Sequence, residues 1–198
     1  MAEFPTRRVD RSQFHLLEQL GSKRKFWFVE NERRLLFKAE DRGTGDDWAE
    51  VIACHLCRLL GLPHVEYELA LECNGAQELG PGAICENMAP DPLQLYLGNE
   101  LLLARDPQYP AAQRFKVRQH TVEAVTGIVL TLEPPAGSWL VGVPAGVRSA
   151  LDFFVGYIML DAWIANPDRH HENWAAIWHA SENKMRLAPT FDHAAALA

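Results

Sequence analysis

The sequence predicts an α+β fold, with a small, mostly antiparallel sheet and one helix in its first half and a helical second half. Three observations predict it. Short apolar runs bounded by turn residues fill positions 14–88, the composition changes at Pro90, and two stretches of helical length follow at 121–132 and 147–165. A chain of 198 residues can form one large domain or two small lobes. The expected organisation is an N-terminal arm over 1–13, a sheet-rich lobe over 14–88 and a helical lobe over 89–198.

Each element has its own signal. Phe14 to Leu20 reads as a strand ending at Gly21. Phe26 to Val29 and Leu35 to Ala39 read as two more, split by the polar turn from Glu30 to Arg34. After a Gly-containing loop from Asp41 to Asp47, Trp48 to Leu60 carries apolar residues at 52, 56, 59 and 60, a helical spacing. Gly61 stands where a C-terminal cap would, and Pro63 prevents continuation. Val65 to Leu71 and Gly82 to Glu86 read as strands around a loop rich in Gly and Asn. In the second half, Leu151, Phe154, Val155, Ile158 and Ala162 form an apolar stripe on a helix that Pro167 ends. Trp174 to Trp178 and Lys184 to Leu187 then read as a hairpin with its turn at His179 to Asn183.

Composition narrows the function classes. Hydrophobic and charged fractions of 48% and 23% are those of an ordinary globular protein. A net charge of −7 argues against nucleic-acid binding through a broad basic surface. Cys54 and Cys57 form a C-x-x-C, but in a helical pattern and with no second ligand pair nearby, so buried reduced thiols are expected. Residues 1–10 are polar and unlike a signal peptide, and Asp161 breaks the longest apolar run, Phe153 to Ala165. The expected setting is cytoplasmic, without membrane insertion.

The candidate chemistry lies near the C-terminus. Asp168 is followed by Asn173, and Asp192 comes after the expected hairpin, which brings Asn173 and Asp192 to one end of it. Two oxygen ligands suit Mg²⁺, and a remaining carboxylate can orient a hydroxyl or take its proton. Upstream, Lys38 ends an apolar strand and can serve as a point charge on phosphates, oriented by Glu50 in the next helix. Asp47-x-x-Glu50 also has the spacing of a capping box, which gives Glu50 a purely structural alternative. Gly21, Ser22, Lys23, Arg24 and Lys25 form a short turn whose backbone N–H groups and cations can cover phosphates, though no Walker-type loop is present. His170 reads as a helper near the phosphate, and His171 as non-catalytic.

Taken together, Lys38, Glu50, Gly61-Leu62-Pro63, Ile84 to Met88, the loop from Asp168 to Asn173, and Phe191-Asp192 resemble the HipA-like serine/threonine kinases, within the superfamily that includes phosphatidylinositol 3- and 4-kinases. The resemblance covers about residues 16–195, with a poorly matched middle at 97–145. It implies a two-lobed protein-kinase-like fold and ATP with Mg²⁺. Lys38 would sit on the phosphates with Glu50 as its partner, under a covering loop from Gly21 to Lys25. The linker Glu86, Asn87 and Met88 would hold adenine. Asp168 would be the catalytic Asp, and Asn173 with Asp192 would hold the metal. It implies a protein substrate such as a translation factor, and an antitoxin-type partner. Asp168-Arg169-His170 followed by Asn173 is closer to lipid-kinase wording, so a phosphoinositide kinase is the first alternative. The chain stops six residues after Asp192. That leads to the expectation of a truncated helical lobe, and to a nucleotide-binding pseudokinase as the second alternative.

Overall fold

A computed structural model describes residues 4–17, 24–41 and 43–197. They fall into two compact units, one of Met1–Leu56, Val65–Asn87 and His193–Ala198, the other of Cys57–His64 and Met88–Asp192.

The first unit is built on a six-stranded sheet. Its strands are β1 (Thr6–Asp10), β2 (Leu16–Leu17), β3 (Lys25–Glu30), β4 (Arg33–Ala39), β5 (Tyr67–Asn74) and β6 (Gln77–Glu86), in the order β1-β5-β6-β4-β3-β2. All neighbours are antiparallel except β1 and β5. Residues 6–10 are therefore not a loose arm. Val9 is buried, while Arg7 and Arg8 pair with Glu30, Glu68 and Glu78. An edge strand needs few buried residues, so its polar composition hid it. The expected loop after Leu71 is also strand, because β5 and β6 close through Asn74-Gly75-Ala76-Gln77. Gly75 takes φ +59°, a conformation that glycine adopts without penalty.

Alternation along β3 and β4 sorts the two faces. Phe28, Leu35, Phe37 and Ala39 join Val9, Ala70 and Ile84 in a core backed by Phe14 and Phe26. Leu36 and Lys38 point the other way. The helix α1 (Asp46–Leu60) follows β4. Its expected apolar positions are not the ones it buries. Ala49, Val51, Ala53, Cys54 and Cys57 go inside, while Leu59 is 82% exposed. The small residues allow close approach, which spacing of large apolar residues alone did not show. All four cysteines are buried thiols, and none is in a disulfide.

The second unit has a three-stranded sheet, ordered β7 (Gln94–Leu97), β8 (Ala175–His179), β9 (Lys184–Leu187). It adds α2 (Gly98–Arg105), α3 (Val122–Val129) and α4 (Ala150–Trp163). The end of α1 also belongs here. Leu62 N–H donates to Cys57 O and Gly61 N–H to Arg58 O, with Gly61 at φ +66°, the glycine ending expected from sequence. Ser149 and Asp152 cap α4 reciprocally. The expected α4 stripe matches only in part: Phe154 is buried, but Val155 and Ile158 are 48% and 44% exposed, and Phe153, Tyr157 and Leu160 are buried in their place. The helix is apolar nearly all round, so periodicity could not choose its inner face. Phe153, Phe154 and Tyr157 join Leu102, Val125, Val129, Trp174 and Leu187 in one core. Among the described residues no helix is long and apolar enough to cross a membrane.

Candidate active site

In the first unit Lys38 is buried on the sheet face opposite the core, and Glu50 comes from the second turn of α1. Lys38 Nζ donates to Glu50 Oε1 at 2.8 Å, with the two side chains 10% and 1% exposed. Lys38 Nζ also donates to the Tyr67 hydroxyl at 3.0 Å. The other Glu50 oxygen accepts the backbone N–H of His193, the residue after Asp192, at 2.8 Å. The helix start is served instead by Glu40, whose carboxylate accepts from the N–H groups of Asp46 and Gly43 at 2.6 and 2.8 Å. That frees Glu50 from the capping role its spacing allowed. Lys25 lies directly opposite Lys38 in the β3–β4 register, so two cations share one face.

The covering-loop and linker residues are placed as follows. Gly21, Ser22 and Lys23 lie outside the described residues. Arg24 forks onto Asp41 at 2.7 and 2.8 Å and reaches Glu72 at 3.3 Å. The Asp41 hydrogen bond leads in raising the Arg24 pKa. Glu86 ends β6 and pairs with Arg33, and Asn87 N–H donates to Arg34 O at 3.0 Å. Met88 is half-buried.

In the second unit the Asp168–Asn173 loop follows α4. Ala165 takes φ +53° and Asn166 N–H reaches back to Asp161 O, which closes the helix before Pro167. Asp168 O accepts from His170 N–H at 2.8 Å and from Asn173 Nδ2 at 2.6 Å, while its own N–H donates to Asn166 Oδ1 at 3.2 Å. The Asp168 carboxylate remains 37% exposed. Asn173 is buried, with Nδ2 spent on Asp168, so the ligand it can offer is its amide oxygen. The hairpin continues past its strands, Ala188 N–H donating to Ala175 O at 3.0 Å, so Asn173 and the 190–192 segment share its open end. Asp192 sits at φ +59°, a conformation that non-glycine residues seldom adopt and that Asn, Asp and His adopt more readily than other side chains.

His170 lies beside Asp168, Nε2 to Oδ1 3.9 Å. Glu172 N lies 3.1 Å from its Nδ1 and Arg114 Nε 3.2 Å from its Nε2, and the neutral ring can accept at only one of the two. Burial, with Arg114, holds this imidazole below its ordinary pKa against the pull of Asp168, Glu172 and Asp192. His171 is buried behind the loop with Nδ1 at 2.7 Å from the Tyr109 hydroxyl. Asn99 N–H donates to His171 O and Gly98 N–H to Trp174 O, each at 2.9 Å. A Cβ at Gly98 would meet the Trp174 ring at 2.2 Å, so only glycine allows this approach.

Sequence reasoning missed several residues that shape this loop. Tyr109, Arg114 and His120 come from the middle that matched no pattern. Asp161 was read only as a break in an apolar run, yet it is a buried carboxylate held by Arg169 at 2.6 and 2.8 Å. A lone charge in such a run was the available signal, because a buried charge requires a partner.

The histidines give a pH prediction. His120 Nε2 accepts from the Trp174 indole N–H at 3.3 Å, and burial leads in holding His120, His170 and His171 below the ordinary histidine value. The folded state then binds fewer protons than the unfolded chain. Stability is fully present above about pH 6.5 and falls as pH drops from there toward the folded-state values. Thermal midpoints measured from about pH 7.5 to 5.5 should decline, and less steeply in His120→Gln, whose amide oxygen accepts without titrating. An equal slope in the variant removes His120 from the account.

Two units, one built on a sheet with a buried Lys–Glu pair and one helical with an Asp/Asn loop before a hairpin, define a protein-kinase-like fold. Among solved structures the chain is similar to the Helicobacter pylori proinflammatory kinase CtkA, with a TM-score of 0.70 and 18% identity over 98% of this chain and 61% of that one. At that identity the likeness is one of fold, and the chain spans about three fifths of that kinase. No family model matches the sequence, and no curated protein does.

Proposed function

We propose that this protein is an ATP- and Mg²⁺-dependent kinase of HipA-like type that transfers the γ-phosphate to a serine or threonine of a protein. The observation that carries the reading is the Asp168–Asn173 loop. It keeps one carboxylate partly exposed, and its last residue, Asn173, leads into the hairpin whose open end it shares with the 190–192 segment. Oxygen donors from Asn173 and Asp192 fit Mg²⁺. When bound, that ion would neutralise phosphate charge and orient the terminal phosphate. Lys38, fixed by Glu50 and Tyr67, would hold the nucleotide phosphates, with Lys25 beside it. Glu86 and Met88 would contact adenine through their backbones, since Asn87 N–H is committed to Arg34. Gly21 to Lys23 would cover the phosphates. Asp168 would take the proton of the acceptor hydroxyl as its oxygen bonds to the γ-phosphorus and the bond to the β-phosphate oxygen breaks.

The lipid-kinase alternative rested on Asp168-Arg169-His170. Arg169 is turned inward onto Asp161, Thr190 and backbone carbonyls, so this wording has a structural cause independent of the acceptor. On the family resemblance, the acceptor would be a translation factor and the regulatory partner an antitoxin-type protein, in the cytoplasm.

The test combines binding and transfer. Millimolar ATP with Mg²⁺ should raise the thermal midpoint, by an amount equivalent to about 2.7 kcal/mol at a hundredfold excess over Kd. Labelled γ-phosphate should move to a protein acceptor. No shift with Mg²⁺-ATP would sink the reading. Transfer to phosphoinositide vesicles alone would favour the lipid kinase, and binding without turnover the pseudokinase.

A further inference from the structure

Arg169 spends five N–H donors on five acceptors drawn from three segments. Nε and Nη2 fork onto the two Asp161 oxygens of α4, at 2.6 and 2.8 Å. Nη1 donates to the carbonyls of Asn173 and Phe191, and the second Nη2 hydrogen to Thr190 Oγ1 at 3.1 Å. On the far side, Asp161 Oδ1 accepts Asn166 Nδ2 at 2.8 Å, and Asn166 Oδ1 accepts Asp168 N–H. One chain of bonds thus runs from Asp168 through Asn166 and Asp161 to Arg169, and from there to the residues at and before the two metal-ligand candidates.

A buried carboxylate on a mostly apolar helix costs stability unless it is fully bonded. Here both oxygens are bonded, and the planar fork of arginine suits this pattern in a way lysine cannot reproduce. We propose that Arg169 and Asp161 are positioning residues that hold Asp168, Asn173 and Asp192 in one fixed arrangement. For its catalytic meaning this rests on the kinase reading. The clamp touches no substrate itself and acts through the groups it orients.

Arg169→Lys keeps the charge and loses the fork, and Thr190→Val removes a single bond, so one variant remains informative if the other is poorly folded. Two readouts are taken. Amide hydrogen exchange should quicken together at 168–173 and at 190–192 in Arg169→Lys, and at 190–192 in Thr190→Val, with the cores of α3 and β8 unchanged. In transfer assays Arg169→Lys should raise half-saturating Mg²⁺ or lower kcat by about 10–100-fold, with KM for ATP nearly unchanged. Unaltered exchange at both segments overturns the proposal. So does a general loss of protection in α3 and β8 with kcat per folded molecule and Mg²⁺ dependence intact, because that is what a merely structural ion pair would give. If wild-type protein neither binds Mg²⁺-ATP nor transfers phosphate, the kinase reading fails, while the exchange data still decide whether the clamp exists.

Discussion

Glu50→Ala is expected to cost about 3–5 kcal/mol of folding stability, the usual loss when one partner of a buried ion pair is removed. The loss has two sources. Lys38 would keep a buried charge whose carboxylate partner is gone, and the His193 N–H would lose the acceptor it now has at 2.8 Å. Glu50→Gln should cost less, because an amide oxygen still accepts one of the two donors. The double variant Glu50→Ala with Lys38→Met should be more stable than Glu50→Ala alone, since it removes the buried charge along with the carboxylate that balanced it. Urea denaturation with unchanged m-values measures all three. A loss below about 1 kcal/mol in Glu50→Ala would show that the pair is as weak as a surface salt bridge.

The second large effect is chemical. Asp168→Ala should lower phosphate transfer by about 10²–10⁴-fold, the range for loss of a positioned general base. Folding should be nearly unaffected, because the hydrogen bonds of Asp168 in the loop are made by its backbone and the carboxylate is partly exposed. Mg²⁺-ATP should still raise the thermal midpoint, since phosphate contact is assigned to Lys38 and metal contact to Asn173 and Asp192. Transfer at the wild-type rate in Asp168→Ala would remove that residue from the mechanism. Loss of nucleotide binding would recast it as a ligand for the metal.

Much of the candidate site could be read from sequence because its spacing is local. Asp168 and Asn173 lie five positions apart, and the hairpin that carries the chain on toward Asp192 has an ordinary polar turn. Lys38 and Glu50 are twelve positions apart on a strand and the helix after it. What stayed hidden depends on contacts distant in sequence. Arg114 reaches His170 across 56 positions, and Tyr109 reaches His171 across 62. No periodicity announces such pairs. The edge strand β1 was hidden for a related reason, its charges being paired only once the folded sheet brings Glu68 of β5 and Glu78 of β6 within reach.

The sequence by itself determined the α+β class, the glycine ending of α1, the hairpin after Asn173 and the residue types of the candidate site. Each of these follows from local periodicity, turn chemistry or donor type. Only the tertiary structure decided which face of α4 is buried, that Glu50 serves Lys38 and not its own helix end, and that Asp161 and Arg169 brace the loop. An apolar helix gives no preferred face until a core forms against it, and a carboxylate has no assigned partner until folding removes water from around it.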